Sequence, residues 1–172
     1  MTRSEFMVAL TGVAALAQSS APWSRGKRAK FEYVGELSAA PEVVFPLLCP
    51  VREYEWLEGW NCRMIFSESG VAEQNCVFLT EHPPAGPATW CVNRYEPPAR
   101  IEFVVVSSDV VSRLYITLER TATGTRIHWE RLFTGLNEEG NTRAASWNTG
   151  IDRALCEKLE YFTRTGKMLR AQ

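Results

Sequence analysis

Arg131 carries the most chemical information in the chain. It sits in a strand-like run where Ile127, Trp129 and Phe133 alternate with polar residues, so its guanidinium falls on the apolar side. An unpaired guanidinium is very costly to bury, so Arg131 requires a partner. Two kinds remain open. One is structural: an acidic residue near the C-terminus, such as Glu157 or Glu160, or an escape of the tip to solvent. The other is a bidentate anchor for a ligand carboxylate or phosphate. Tyr33 together with Arg131 would supply a hydrogen-bond donor and a charge for acid–base chemistry.

Other chemistries find little support. A Ser-His-Asp arrangement requires a buried, oriented histidine, whereas His128 alternates outward and His82 lies in a proline-rich loop. Five cysteines, Cys49, Cys62, Cys76, Cys91 and Cys156, include no CxxC pair, and neither histidine stands at metal-ligand spacing to them. No metal site and no cofactor are expected. Buried thiols acting as small apolar side chains are the simplest reading. A glycine-rich phosphate loop is lacking.

The elements that position these residues belong to one domain. The chain has 172 residues, with 45% hydrophobic residues and a formal net charge of -1. A domain of that size buries roughly 70% of the surface its unfolded chain exposes, enough for one real core. The charge balance offers no field for nucleic acid or acidic membrane, and no run approaches the ~20 apolar residues of a membrane span. Oligomeric state cannot be read from the sequence.

Residues 6–17 (FMVALTGVAALA) are apolar and uncharged, and end in the small-x-small pattern Ala15-Leu16-Ala17. With Arg3 upstream but Ser4 where a second arginine would stand, the segment reads as a degenerate twin-arginine-like export signal, implying a periplasmic or extracellular protein. The alternative is a surface helix on a cytoplasmic protein. Residues 1–29 are thus assigned as export signal and linker, and 30–172 as the folded domain.

Residues 30–37 alternate as a half-buried strand. Ser38 could cap a short helix that Pro41 begins and Pro50 stops, and 52–59 reads as a second short helix ended by Gly59. Six strands follow, near 60–67, 74–82, 87–95, 99–107, 110–121 and 125–134, separated by turn-forming residues. From 137 to 169, Ala144, Trp147, Ile151, Leu155, Leu159 and Phe162 recur at three- and four-residue steps, which predicts one long amphipathic helix. The class is α+β: a seven-stranded curved antiparallel sheet around a long C-terminal helix.

Turn positions predict strand register, and register predicts which side chains share a face. The Thr123-Gly124 turn sets Leu118 opposite Trp129, Ile116 opposite Arg131 and Leu114 opposite Phe133. Ser108-Asp109 sets Leu114 opposite Phe103, and Pro97-Pro98 sets Phe103 opposite Val92 and Val105 opposite Trp90. Continuing outward adds Val77, Leu79, Cys62, Met64 and Phe66 to the inner face. Cys76 and Cys91 fall together on the outer face, making them the best disulfide pair in an exported chain.

Seven strands spaced ~4.8 Å apart make a layer roughly 34 Å wide, but one helix covers only ~10–12 Å. The sheet must therefore bend around the helix and enclose space. The sheet side of the cavity is assigned to Tyr33, Met64, Phe66, Trp90, Val92 and Phe103, with Leu114, Ile116, Trp129, Arg131 and Phe133. From the helix come Trp147, Ile151 and Leu155.

Four segments carry a family resemblance: Ser38-Ala39-Ala40-Pro41-Glu42-Val43-Val44-Phe45, Val51-Arg52-Glu53-Tyr54-Glu55-Trp56, Tyr95-Glu96-Pro97-Pro98-Ala99-Arg100-Ile101, and Gly124-Thr125-Arg126-Ile127-His128-Trp129. With the order strand, two helices, six strands, long helix, the chain resembles the START-related, polyketide-cyclase-like (SRPBCC) superfamily, which includes the major birch pollen allergen. The resemblance implies the helix-grip fold and a cavity for a lipid-like or polyketide-like ligand, and carries no universal catalytic motif. A carrier or binder of a small hydrophobic or amphipathic ligand is the favoured function. A cyclase or aromatase-like enzyme using the same cavity, and an interaction domain with a filled core, are the alternatives.

Overall fold

The computed structural model describes residues 26–82 and 86–170. The proposed export segment lies outside the described residues. Seven strands form one antiparallel sheet: β1 (Arg28–Leu37), β2 (Cys62–Phe66), β3 (Val77–His82), β4 (Gly86–Glu96), β5 (Arg100–Val106), β6 (Val110–Thr121) and β7 (Gly124–Gly135). Their order is β1-β7-β6-β5-β4-β3-β2, so every pair except β1 with β7 is a sequential hairpin. Between β1 and β2 come α1 (Pro41–Val44) and two 3₁₀ turns, Phe45–Leu48 and Glu53–Glu55. This is the helix-grip fold.

The C-terminal region departs from a single continuous helix. It divides into α2 (Glu138–Ala145) and α3 (Gly150–Thr165). Ser146, Trp147, Asn148 and Thr149 are weak helix formers, and the Asn148 side chain accepts the Gly150 amide at 2.8 Å, closing a local turn. Asn137 caps α2 by accepting the Gly140 amide. Gly166, at φ +66°, ends α3 in the left-handed conformation that favours glycine.

Ser38 does not cap α1. Its hydroxyl and amide both donate to the Glu160 carboxylate of α3, at 2.7 and 2.8 Å, tying the end of β1 to the C-terminal helix. The region 52–59 holds only the one 3₁₀ turn, and Gly59 supplies a positive φ of 74° beyond it.

Register is as expected across β4–β5–β6: Val92 pairs with Phe103, Trp90 with Val105, Phe103 with Leu114 and Ile101 with Ile116. Between β6 and β7 the pairing is displaced by two residues, so Leu114 faces Arg131, Ile116 faces Trp129 and Leu118 faces Ile127. A two-residue shift conserves the faces, because side chains alternate with period two.

One-residue errors are more consequential. In β3, Phe78 pairs with Trp90 and Thr80 with Ala88, which puts Phe78 and Thr80 inward and Val77 and Leu79 outward. A bulge between Met64 and Phe66 then sets Phe66 opposite Val77, on the outer face and 56% exposed. The Cys76 carbonyl accepts the Val92 amide at 3.0 Å and its side chain is fully buried on the inner side, whereas Cys91 is opposite Val77. Cys76 and Cys91 thus lie on opposite faces, and all five thiols are free.

The core is asymmetric. Val44, Phe45, Leu47, Leu48, Trp56, Ile127 and Leu159 pack solidly where α1, the 3₁₀ turns and α3 meet the sheet. At Gly35 a Cβ would come within 2.5 Å of Cys156 Sγ, so the glycine permits α3 to press onto β1. With α3 committed to the β1 side, the inner surface toward β3 to β5 is not packed closely by a helix among the described residues.

Candidate functional site

That uncovered surface bounds a cavity of about 640 Å³, within the range of roughly 300–1,000 Å³ typical of small-molecule sites. Its sheet wall carries Phe78, Trp90, Phe103, Leu114, Ile116, Trp129 and Phe133, its helix wall Trp147, Ile151 and Leu155, and its closed end Leu48, Pro50, Trp56, Leu57 and Trp60. The aromatic rings brace one another rather than filling the space. Phe78 stacks on Trp90 at 5.5 Å between centroids, Trp90 meets Phe103 edge-on at 5.6 Å, and Phe133 lies 5.2 Å from Trp147. The Trp90 indole N–H donates to Thr80 Oγ1 at 2.8 Å, so even this polar atom is satisfied within the wall.

Ten of the fourteen residues assigned from sequence border the cavity: Trp90, Phe103, Leu114, Ile116, Trp129, Arg131, Phe133, Trp147, Ile151 and Leu155. Four do not. Val92 is fully buried in the layer beneath, Phe66 is turned outward by its bulge, and Met64 packs against the edge of the core. Tyr33 shares the inner face but lies along Gly35 toward Cys156 under α3, where burial raises its pKa above the ordinary phenol value.

The polar end of the cavity is built from three elements. Arg131 of β7 donates through Nε to Asp152 Oδ1 of α3 at 2.8 Å, and Trp147 Nε1 donates to the other carboxylate oxygen at 3.1 Å. The partner thus comes from the anticipated C-terminal region but is Asp152, not Glu157 or Glu160. The pair is buried, with side-chain exposures of 12% and 2%. The guanidinium also lies 4.6 Å from the Trp147 ring centroid and 5.8 Å from that of Trp129. Burial lowers the Arg131 pKa from its usual value, against which the adjacent Asp152 charge pulls it up. The turn at Ser146–Thr149 is what makes this possible, since it frees the Trp147 indole to reach the first turn of α3. Among the described residues, only Nε of Arg131 has an acceptor, leaving both terminal nitrogens available to the cavity.

The third component is Glu53, on the 3₁₀ turn between α1 and β2, which also borders the cavity. Its side chain is half-buried. Desolvation pushes its pKa up to about 8, with the charge of Arg131 pulling the other way, and among the described residues no hydrogen bond holds its carboxyl. Glu53 thus has its protonated form favoured by desolvation well above the ordinary carboxylate range. It was missed in the sequence, although Glu53, Trp56, Leu57 and Trp60 follow the i, i+3, i+4, i+7 spacing of one helical face. Arg143 of α2 also borders the cavity and is paired with Asp109 Oδ2 at 2.9 Å. Among the described residues no three His, Cys, Asp or Glu side chains converge as metal ligands.

A helix-grip domain enclosing an apolar chamber with one ionisable corner is the class that fold and site define. Residues 28–161 match the family described as polyketide cyclase / dehydrase and lipid transport, and the chain belongs to that family. No curated protein matches it in sequence. Among solved structures, a protein from Mesorhizobium loti is similar at 21% identity and TM-score 0.62, covering 80% of this chain and 98% of its own. Norcoclaurine synthase from Thalictrum flavum, in complex with dopamine and hydroxybenzaldehyde, is 12% identical with TM-score 0.64, covering 96% and 100%. Ara h 8.0201 is 9% identical with TM-score 0.58, covering 81% and 99%. At these identities the likeness concerns the fold.

Proposed function

We propose that the protein binds or carries a small hydrophobic or amphipathic molecule in the cavity between sheet and C-terminal helices. The observation that carries this reading is the 640 Å³ chamber itself. Close-packed interiors leave few voids larger than a water molecule, and a site this large and apolar is what burying a ligand requires. Several aromatic rings that could have collapsed into it are instead held against the wall by one another and, for Trp90, by Thr80. A filled-core interaction domain does not accord with that space. Native mass spectrometry of the purified protein, followed by solvent extraction, tests the reading. A stoichiometric small molecule, retained and released chemically unchanged, is expected; no retained molecule and no uptake of added hydrophobic compounds would refute it.

A second reading is catalytic, and Glu53 favours it. A protonated carboxyl with a pKa near 8 can give and recover a proton at neutral pH, and the free nitrogens of Arg131 can stabilise a developing oxyanion. That combination suits cyclase-like chemistry on a carbonyl compound. Under this reading the extracted molecule would be converted on incubation, and Glu53→Gln would abolish conversion while keeping binding. Export through residues 6–17 is a separate proposal, tested by N-terminal sequencing of protein from its native host: loss of that segment supports it and an intact Met1 refutes it.

A further inference from the structure

The corner formed by Glu53, Arg131 and Asp152 specifies more than a greasy ligand. Arg131 alone would advertise an anion site. Yet its charge is already compensated by Asp152 at 2.8 Å, a carboxylate 2% exposed and bonded on both oxygens, so the pair presents no net charge to the cavity. What the pair does present is hydrogen-bond donors, the two terminal nitrogens of Arg131. Beside them, Glu53 borders the same space without a hydrogen-bond partner.

We propose that this corner is a charge-neutral headgroup site in which Arg131 and the Glu53 carboxyl donate to an uncharged carbonyl, so that Glu53, not Arg131, decides which ligand charge is admitted. The inference rests on the ligand-binding reading above. Its warrant is a comparison of costs. Bringing an anion into an apolar chamber forfeits several kcal/mol of hydration, and a guanidinium already paired with Asp152 repays only part of that. A neutral carbonyl has far less hydration to lose and recovers it through the waiting donors.

The proton on Glu53 keeps the corner neutral. The groups that act on Glu53 from neighbouring elements are Arg131 of β7, itself paired with Asp152 of α3, and Cys62 of β2, whose thiol burial pushes up and so keeps neutral; Arg143 of α2 lines the same cavity. Its turn neighbour Glu55 is engaged with Arg52 at 2.7 Å. Ionisation of Glu53 would therefore give the corner a net negative charge and remove one donor.

Four probes sharing one aromatic body separate the possibilities by equilibrium dialysis: 2-acetylnaphthalene, 2-naphthoate, 2-naphthyltrimethylammonium and 2-ethylnaphthalene. At pH 6.5 the ketone should bind about tenfold tighter than the carboxylate. Between pH 6.5 and 9.5 the ketone should weaken severalfold, the permanent cation should strengthen, and the ethyl compound should not change. Glu53→Gln should flatten the pH dependence while retaining the ketone. Should that variant fail to fold, the wild-type pH series alone decides. Failure of all four probes to bind would overturn the ligand-binding reading and this inference with it. Equal binding of all four, or pH-independent binding of the ketone, would overturn the headgroup inference while leaving ligand binding intact. Tightest binding of the carboxylate would show that Arg131 sets the selection, and would overturn it as well.

Discussion

On the outer face of the sheet, Glu102 is almost fully buried yet surrounded by cations: Arg100 at 2.6 Å, and Arg94 and Arg113 each at 3.7 Å. On the inner side, among the described residues, Asp152 has one cation, Arg131, and the Glu53 carboxyl has no hydrogen-bond partner. The outer arginines are 33–44% exposed, so water shares in compensating Glu102. The inner groups border a chamber with apolar walls, where each charge has a designated counter-charge or stays protonated. Cross-strand neighbours supply the outer network, whereas the inner pair needs β7 and α3 to meet across the core. Outer charges are redundant and hydrated; inner ones depend on single partners.

The largest effect that follows is from Asp152→Ala. It leaves the Arg131 guanidinium buried without a counter-charge and should cost about 3–5 kcal/mol in denaturant unfolding. Replacing both members by apolar residues of similar volume, Arg131→Met with Asp152→Leu, should recover most of that loss. A double variant as unstable as Asp152→Ala would mean that the geometry of the pair, not charge compensation, is what matters there.

Glu53→Gln comes next, and its sign depends on pH. The folded-state value of about 8 stands above the ordinary 4.5, so the folded chain retains a proton that the unfolded chain releases in between. This contribution to stability is complete below about 4.5, is lost as pH rises toward 8, and is constant beyond. Glutamine does not titrate. The stability difference between variant and wild type should therefore swing in favour of the variant by up to about 4 kcal/mol from pH 4.5 to 8.5. Denaturation of both proteins across that range measures it, and a constant difference would place Glu53 in contact with water.

Legibility in the sequence followed the same division between local and distant causes. The turns at Pro97-Pro98 and Ser108-Asp109 determine β4–β5 and β5–β6 register through adjacent residues, and those pairings were readable. Arg131 was readable as an inward charge that needs a partner, because alternation reports a face; whether that partner was a C-terminal acid or a ligand stayed open, and which acid it meets depends on the break between α2 and α3. That break was hidden because Trp147 fits the apolar spacing of a continuous helix, and only the turn-forming Asn148 and the buried need of Arg131 explain its departure. Val77, Leu79 and Phe66 were assigned to the wrong face for another reason. Parity is inherited through each connection, and neither the Pro83-Pro84-Ala85-Gly86 sequence nor the bulge at Met64/Phe66 announces the register that follows it. Glu53 was concealed by its type, since a glutamate in a short charged segment ordinarily faces solvent.

The smallest effect belongs to an outer pair. Arg126 and Glu36 are bonded at 2.9 Å between β7 and β1, with side chains 52% and 56% exposed. Their attraction operates through water and competes with the entropy of two free side chains, so Arg126→Ala should cost under about 1 kcal/mol. The residual effect should fade in 1 M salt, where screening acts over only about 3 Å, whereas the loss from Asp152→Ala should persist there. Denaturant midpoints for both variants at low and high salt provide the test. An Arg126→Ala loss that is large and insensitive to salt would show that the outer face depends on single partners as the inner one does.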